Sequence, residues 1–88
     1  MKNMTISDLQ KMALKATQAA SQGRSTQALK LVREYLQARS QAARDGVNTS
    51  KLNVVTRSMV RLASQLNSCA SYRVLSVTCG DIEVLLSY

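Results

Sequence analysis

The apolar residues of the segment 50–67 recur at spacings of three and four, and this pattern constrains the fold more than any other feature of the sequence. Residues at these spacings lie on one side of an α-helix but on both sides of a β-strand. The pattern therefore predicts an amphipathic helix, which must bury its apolar side against other elements. Residues 48–50 are Asn, Thr and Ser, each of which suits the N-cap of that helix. The apolar residues are Leu52, Val55, Met59, Leu62 and Leu66.

The same helical spacing occurs in the first half of the chain. A first helix is predicted at 7–22, where Ser7-Asp8-Leu9-Gln10 matches the capping-box pattern and Gly23 suits a left-handed residue after the helix end. A second helix is predicted at 26–44, and Asp45-Gly46 ends it. Short connections between such helices favour antiparallel hairpins.

The last segment, 71–87, fits two structures. Its Val, Ile, Thr and Tyr content and the triplet Cys79-Gly80-Asp81 suit a β-hairpin wing that turns at Gly80. However, periodicity is stronger evidence than residue preference, and the polar residues recur at helical spacing. We therefore expect a helix in the middle of the fold or in a subunit interface, with the hairpin as the alternative. The polar residues are Arg73, Ser76, Gly80, Glu83 and Ser87.

These segments predict one all-α domain over residues 1–88, a compact arrangement of three to four helices in antiparallel hairpins. Apolar residues make up 45% of the chain but aromatic residues only 3%. A core with so little aromatic surface gains from a second subunit. We therefore expect a homodimer through the last helix, with an interface formed by Tyr72, Leu75, Cys79, Ile82 and Leu86.

The charged residues favour binding over catalysis. The chain has 12 Lys and Arg, 5 Asp and Glu and no His, which gives a net charge of +7. Such a surface attracts phosphate groups or an acidic protein, although a basic excess can also serve solubility alone. No pair of carboxylates is placed for acid–base chemistry, no His is present to activate a Cys, and the three glycines are isolated. We expect no enzymatic activity.

The cysteines bear on cofactors and compartment. Cys69 and Cys79 are ten residues apart, which on one helix is about 15 Å and too far for a disulfide. With two Cys and no His, we expect no metal site and no cofactor. Free thiols are typical of a reducing compartment, and no apolar run has the length of a signal peptide or a membrane span. The sequence therefore predicts a cytoplasmic protein.

The junction of the second and third helices carries the clearest functional pattern. Ala42, Gly46, Val47 and Leu52 have the spacing of a small residue, a turn glycine and two apolar residues. A small residue permits close helix crossing, the glycine takes a positive φ, and the apolar residues hold one helix on the other. Residues 42–55 resemble the helix-turn-helix motif of bacterial and phage DNA-binding proteins.

This resemblance implies a regulatory protein in which the third helix, 50–67, reads the major groove of DNA. Asp45 departs from the pattern, since an apolar residue is usual there. Arg and Asn carry the paired donors and acceptors that distinguish guanine and adenine, while Thr and Lys near the helix start suit phosphate contacts. The residues expected to contact DNA are Arg44, Thr49, Lys51, Asn53, Arg57, Arg61 and Ser64.

Two other functions remain open. Small residues at Ala13, Ala16 and Ala28 make the first two helices similar to the helical hairpin of tetratricopeptide-type repeats, although no second repeat follows. That similarity implies an adaptor, chaperone or inhibitor whose basic helical surface binds an acidic partner protein. Attachment to a membrane surface ranks last, because the apolar final helix lacks Trp and flanking basic residues.

Overall fold

A computed structural model of the chain describes residues 4–88, and residues 1–3 of the predicted domain lie outside this range. A 3₁₀ turn, Ser50–Leu52, leads into the third helix, and the described residues contain no strand. The prediction of an all-α fold is therefore confirmed, and a β-hairpin wing is not supported. The four helices are α1 (Ile6–Ser21), α2 (Ser25–Arg44), α3 (Asn53–Asn67) and α4 (Tyr72–Ser87).

The helices pack as a closed ring of neighbours, in which α1 contacts α2 and α4, and α3 contacts α2 and α4. Hydrogen bonds between helices show their directions. The Tyr72 hydroxyl donates to the carbonyl of Ser21, and the Cys79 thiol donates to the carbonyl of Thr17, so α1 and α4 are antiparallel. The hydrogen bonds that join α2 and α3 run in the same antiparallel sense.

The core is filled mainly by small and aliphatic side chains. α1 contributes Ala13, Ala16, Ala19 and Ala20, which are buried and let the neighbouring helices approach closely. Tyr35 is the one aromatic residue buried among the described residues. The apolar side predicted for the third helix is confirmed as a core surface, since the buried residues include Leu52, Val55, Met59, Leu62 and Leu66.

The start of α1 differs from the prediction. The N-cap is Thr5, whose Oγ1 accepts from the backbone N of Asp8 at 3.2 Å, while the Asp8 carboxylate accepts from the backbone N of Thr5 at 3.1 Å. Ser7 is therefore an exposed helical residue and not the cap. These two hydrogen bonds form a capping box in which Asp takes the place of the usual Glu or Gln. The box begins two residues before the predicted one.

Three helices end with a residue in the left-handed backbone conformation. The N–H of that residue and the N–H of the following residue both donate to carbonyls in the last turn of the helix. Gly23 and Gly46 take these positions after α1 and α2, with φ of 80° and 90°, as their sequence positions predict. After α3 the position belongs to Cys69, with φ of 54°, and the N–H of Ala70 donates to the carbonyl of Gln65. A side chain with a Cβ is strained in that conformation.

Replacing Cys69 by Gly is expected to stabilise the fold by about 0.5–1 kcal/mol, because glycine takes a positive φ without a Cβ clash. In thermal unfolding this is a rise of several degrees in Tm, roughly 2–8 °C for a domain of this size. Cys69→Ala is the matched control, because it removes the thiol but keeps the Cβ. An equal rise in Tm for both variants would show that the thiol, and not the backbone conformation, carries the cost.

The last helix carries apolar residues on two sides. Ser71 caps it by accepting from the backbone N of Val74, and Gly80 lies within the helix and makes no turn. One side packs on α1 and α3 through Leu75, Thr78, Cys79 and Ile82. The opposite side is exposed, so α4 lies at the surface and not in the middle of the fold.

Candidate nucleic-acid interface

The four residues that carry the helix-turn-helix resemblance lie at the α2–α3 connection. Ala42 and Leu52 are buried, Val47 packs against the core, and Gly46 has a positive φ. The connection itself is longer than the three or four residues usual in the motif. It runs from Asp45 to Thr49 before the 3₁₀ turn begins, so α3 starts at Asn53 and not at the predicted position 50.

Two polar contacts join α2 to α3. The hydroxyls of Tyr35 and Thr56 share a hydrogen bond of 2.9 Å, and Nη2 of Arg39 donates to Oδ1 of Asn53 at 2.9 Å. Burial raises the pKa of Tyr35, against smaller lowering effects of the Thr56 hydrogen bond and the Arg39 charge. Nε of Arg39 is buried and has no hydrogen-bond partner within residues 4–88. These contacts fix how the outer surface of α3 is presented.

The Tyr35–Thr56 hydrogen bond predicts a measurable coupling. Tyr35→Phe is expected to destabilise the fold by about 1 kcal/mol, because it leaves the partly buried Thr56 hydroxyl without its partner. Thr56→Val removes the other half of the pair with little change of shape. In denaturant unfolding the double variant should lose less stability than the sum of the single variants, by about 0.5–1 kcal/mol. Strictly additive losses would contradict a role of this bond in joining α2 and α3.

The outer surface of α3 presents most of the residues predicted to read bases. Asn53, Arg57, Arg61 and Ser64 are exposed, and on a helix their spacing places them along one side over about 16 Å. α3 carries no acidic residue. Two apolar side chains share this surface, since Val54 and Val60 are 55% and 52% exposed. We call Asn53, Val54, Arg57, Val60, Arg61 and Ser64 the α3 outer face.

The Asn53 side chain is less available for new hydrogen bonds than the two arginines of the α3 outer face. Its Oδ1 already accepts a hydrogen bond from Arg39. Paired recognition of adenine uses both the amide oxygen and the amide nitrogen of Asn, so here the oxygen would have to accept a second donor. Arg39 was not predicted as part of the site. It lies 14 residues before Asn53, and only the packing of α2 on α3 brings the two together.

The residues predicted to contact phosphate lie in the connection or directly beside it. Arg44 is exposed in the last turn of α2, and Lys51 is exposed in the 3₁₀ turn. Thr49 is partly buried and its side chain makes no capping hydrogen bond. Asn48 Oδ1 instead accepts from the backbone N of Ser50, which holds the start of the turn.

The residues predicted to form a dimer interface lie mostly inside the monomer. Leu75, Cys79 and Ile82 are buried against α1 and α3, and Leu86 is partly buried against the same core. Tyr72 is exposed, with its hydroxyl bonded to α1. Burial, helped by the charge of Glu83, raises the pKa of the Cys79 thiol. An amphipathic pattern shows that these residues share a side of the helix, but not that this side covers the chain's own core.

A shallow groove of about 340 Å³ lies between α1 and the start of α2. Its polar lining includes Lys15, Arg24 and the amides of Gln18, Gln22 and Gln27. Within residues 4–88, no group of three or more His, Cys, Asp or Glu side chains comes together to hold a metal ion. The same range contains no helix with the length and hydropathy required to cross a bilayer.

Comparison of the chain with protein-family models, with curated proteins and with solved structures finds no match.

Proposed function

We propose that this protein is a non-enzymatic regulator that binds duplex DNA by placing α3 in the major groove. The observation that carries the proposal is the pair Arg57 and Arg61, one helical turn apart and exposed on a helix without acidic residues. A major groove admits one α-helix, and Arg is the side chain that most often reads guanine there. The length of the α3 outer face suits contacts with a few successive base pairs.

Base contacts are assigned to Arg57 and Arg61, with Asn53 and Ser64 at the two ends of the face. The methyl groups of Val54 and Val60 suit apolar contact with thymine methyl groups, which line the same groove. Arg39 holds the Asn53 side chain in place through their hydrogen bond. Arg39 is therefore a positioning residue in this proposal.

Phosphate contacts are assigned to Arg44, which precedes the connection, to Thr49 at its end, and to Lys51 in the 3₁₀ turn that follows. Side chains of these types orient a protein on the duplex without reading its sequence. The chain's net charge of +7 adds a long-range attraction to the phosphate backbone. Free Cys69 and Cys79 suit the reducing cytoplasm, where such a regulator would meet DNA.

The two classes of contact predict different effects in one experiment. Duplexes are selected from a random library with the wild-type protein, and their binding is compared for Arg57→Ala and Lys51→Ala at fixed salt. Arg57→Ala should lower affinity for the selected site by about 1–3 kcal/mol and relax the preference at one position. Lys51→Ala should weaken selected and random duplexes alike. A selection that enriches no sequence, or an unchanged preference in Arg57→Ala, would contradict groove reading.

A second candidate function is supported by the mixed character of the α3 outer face. Val54 and Val60 are more than half exposed beside Arg57 and Arg61. An acidic amphipathic helix of a partner protein fits such a surface, with apolar residues on the valines and carboxylates on the arginines. This adaptor or inhibitor function predicts co-purification of one defined acidic protein from the native cell. Duplex DNA should then fail to compete with that partner.

A further inference from the structure

After the α3 outer face, the exposed side of α4 is the second surface of the molecule that is suited to binding a partner. Its residues span about 120° of the helix surface, given 3.6 residues per turn. Val77 and Val84 are 62% and 55% exposed, and Gly80 lies between them with open space where a Cβ would stand. All six residues of this side are exposed, and we call them the α4 outer face: Arg73, Val74, Val77, Gly80, Asp81 and Val84.

The charge of α4 differs from that of the rest of the chain. Arg73, Asp81 and Glu83 give this helix a net charge of −1. The chain totals +7, so the residues outside α4 carry +8. Two copies that meet through α4 therefore keep their strongly basic surfaces apart, whereas contact through another helix would bring like charges together. α4 is the part of the chain where self-association meets the least repulsion.

We propose that the α4 outer face binds the same face of a second copy, with the two helices antiparallel about a two-fold axis at Val77. In this register Val77 packs on Val77 of the second copy. Arg73 and Asp81 are each four residues from Val77, so Arg73 of one copy lies opposite Asp81 of the other, twice in the symmetric pair. Gly80 lies at the edge of the same face, and its missing Cβ allows the second copy to approach the helix backbone there.

The occupant is a second copy because the face is complementary to itself. A two-fold interface needs each residue to find its complement on the same surface, and here one cation and one anion are placed evenly about a central apolar residue. This dimer uses a different side of α4 from Leu75, Cys79 and Ile82, which remain in the core of each subunit. Dimerisation through α4 does not depend on DNA binding by α3, and either can be absent without the other.

A charge-swap series tests the inference by sedimentation velocity. The wild-type mass should rise from that of the 9.6 kDa chain toward twice this value as concentration increases, from roughly 5 µM to 500 µM, because a small interface of this kind is weak. Arg73→Asp should raise the dissociation constant at least about 10-fold, since two carboxylates then face each other twice. Asp81→Arg should do the same with two arginines. The double variant, Arg73→Asp with Asp81→Arg, should restore the dimer.

Gly80→Gln separates dimer loss from misfolding. In the monomer its Cβ meets no atom within 4 Å, and Gln is a better helix former than Gly, so Tm at low concentration should rise. The same side chain obstructs the second copy, so the dimer fraction should fall. A wild-type protein that stays monomeric across the concentration range would overturn the inference. So would a double charge swap that associates no better than the single variants.

Discussion

Replacing Ile82 by Lys is expected to leave the chain largely unfolded in physiological buffer. Ile82 is fully buried in the core beside α1 and α3. The substitution removes a buried aliphatic side chain and places an unpaired ammonium group in its position, a loss of at least about 5 kcal/mol. A domain of this size has a total stability of about 5–10 kcal/mol. Far-ultraviolet circular dichroism should show the helical signal reduced and no cooperative thermal transition.

Val60→Lys is the matched control for Ile82→Lys. It introduces the same charge at an apolar helical position, but Val60 is on the α3 outer face and half exposed. Its stability should stay within about 0.5 kcal/mol of wild type, since exposed substitutions rarely cost more. If Ile82→Lys were folded and merely monomeric, Ile82 would belong to a subunit interface and not to the monomer core.

Removing both arginines of the α3 outer face is expected to have the largest effect on DNA binding. Each well-placed Arg contributes about 1–3 kcal/mol to binding its preferred base pair. Arg57→Ala with Arg61→Ala should therefore weaken binding to a selected duplex at least about 30-fold, since each 1.4 kcal/mol is a factor of ten. Fluorescence anisotropy with a labelled duplex measures this loss. Both side chains are exposed, so the variant should keep the wild-type Tm.

The matched control removes the same two charges from elsewhere. Lys30 and Arg33 are exposed on the side of α2 that faces away from the core. Lys30→Ala with Arg33→Ala lowers the net charge equally, so a purely non-specific attraction would weaken to the same extent in both variants. Groove reading requires the fold-loss in DNA affinity to be at least about ten times larger for the α3 variant than for the α2 variant, because base contacts are assigned to the two α3 arginines. Equal losses would identify a diffuse basic surface with no reading helix.

The helices could be predicted because their signals are local. The three-and-four spacing of Leu52, Val55, Met59 and Leu62 is a property of the chain alone, and so is the preference for Gly23 and Gly46 after helix ends. Cys69 carries no such signal. It takes the left-handed conformation because α3 has ended and the chain must turn into α4. Any residue at that position would have to adopt the same conformation.

The residues of the candidate interface could be predicted only in part. Sequence spacing identified which residues share the outer side of α3, and Arg57 and Arg61 are exposed as that spacing predicts. It could not identify Arg39, whose contact with Asn53 depends on the packing of two helices. It also assigned the dimer contacts to Leu75 and Ile82, because an apolar helix does not reveal which of its sides covers its own core.

The central claim is that α3 binds duplex DNA, and a salt titration of binding tests it most directly. A short labelled duplex of the selected sequence is titrated with the wild-type protein by mobility shift from low to near-physiological salt. We expect binding at micromolar protein, with the logarithm of the association constant falling against the logarithm of salt concentration with a slope of about −2 to −4, as for a few phosphate contacts. A duplex that remains free at micromolar protein in near-physiological salt would contradict the claim.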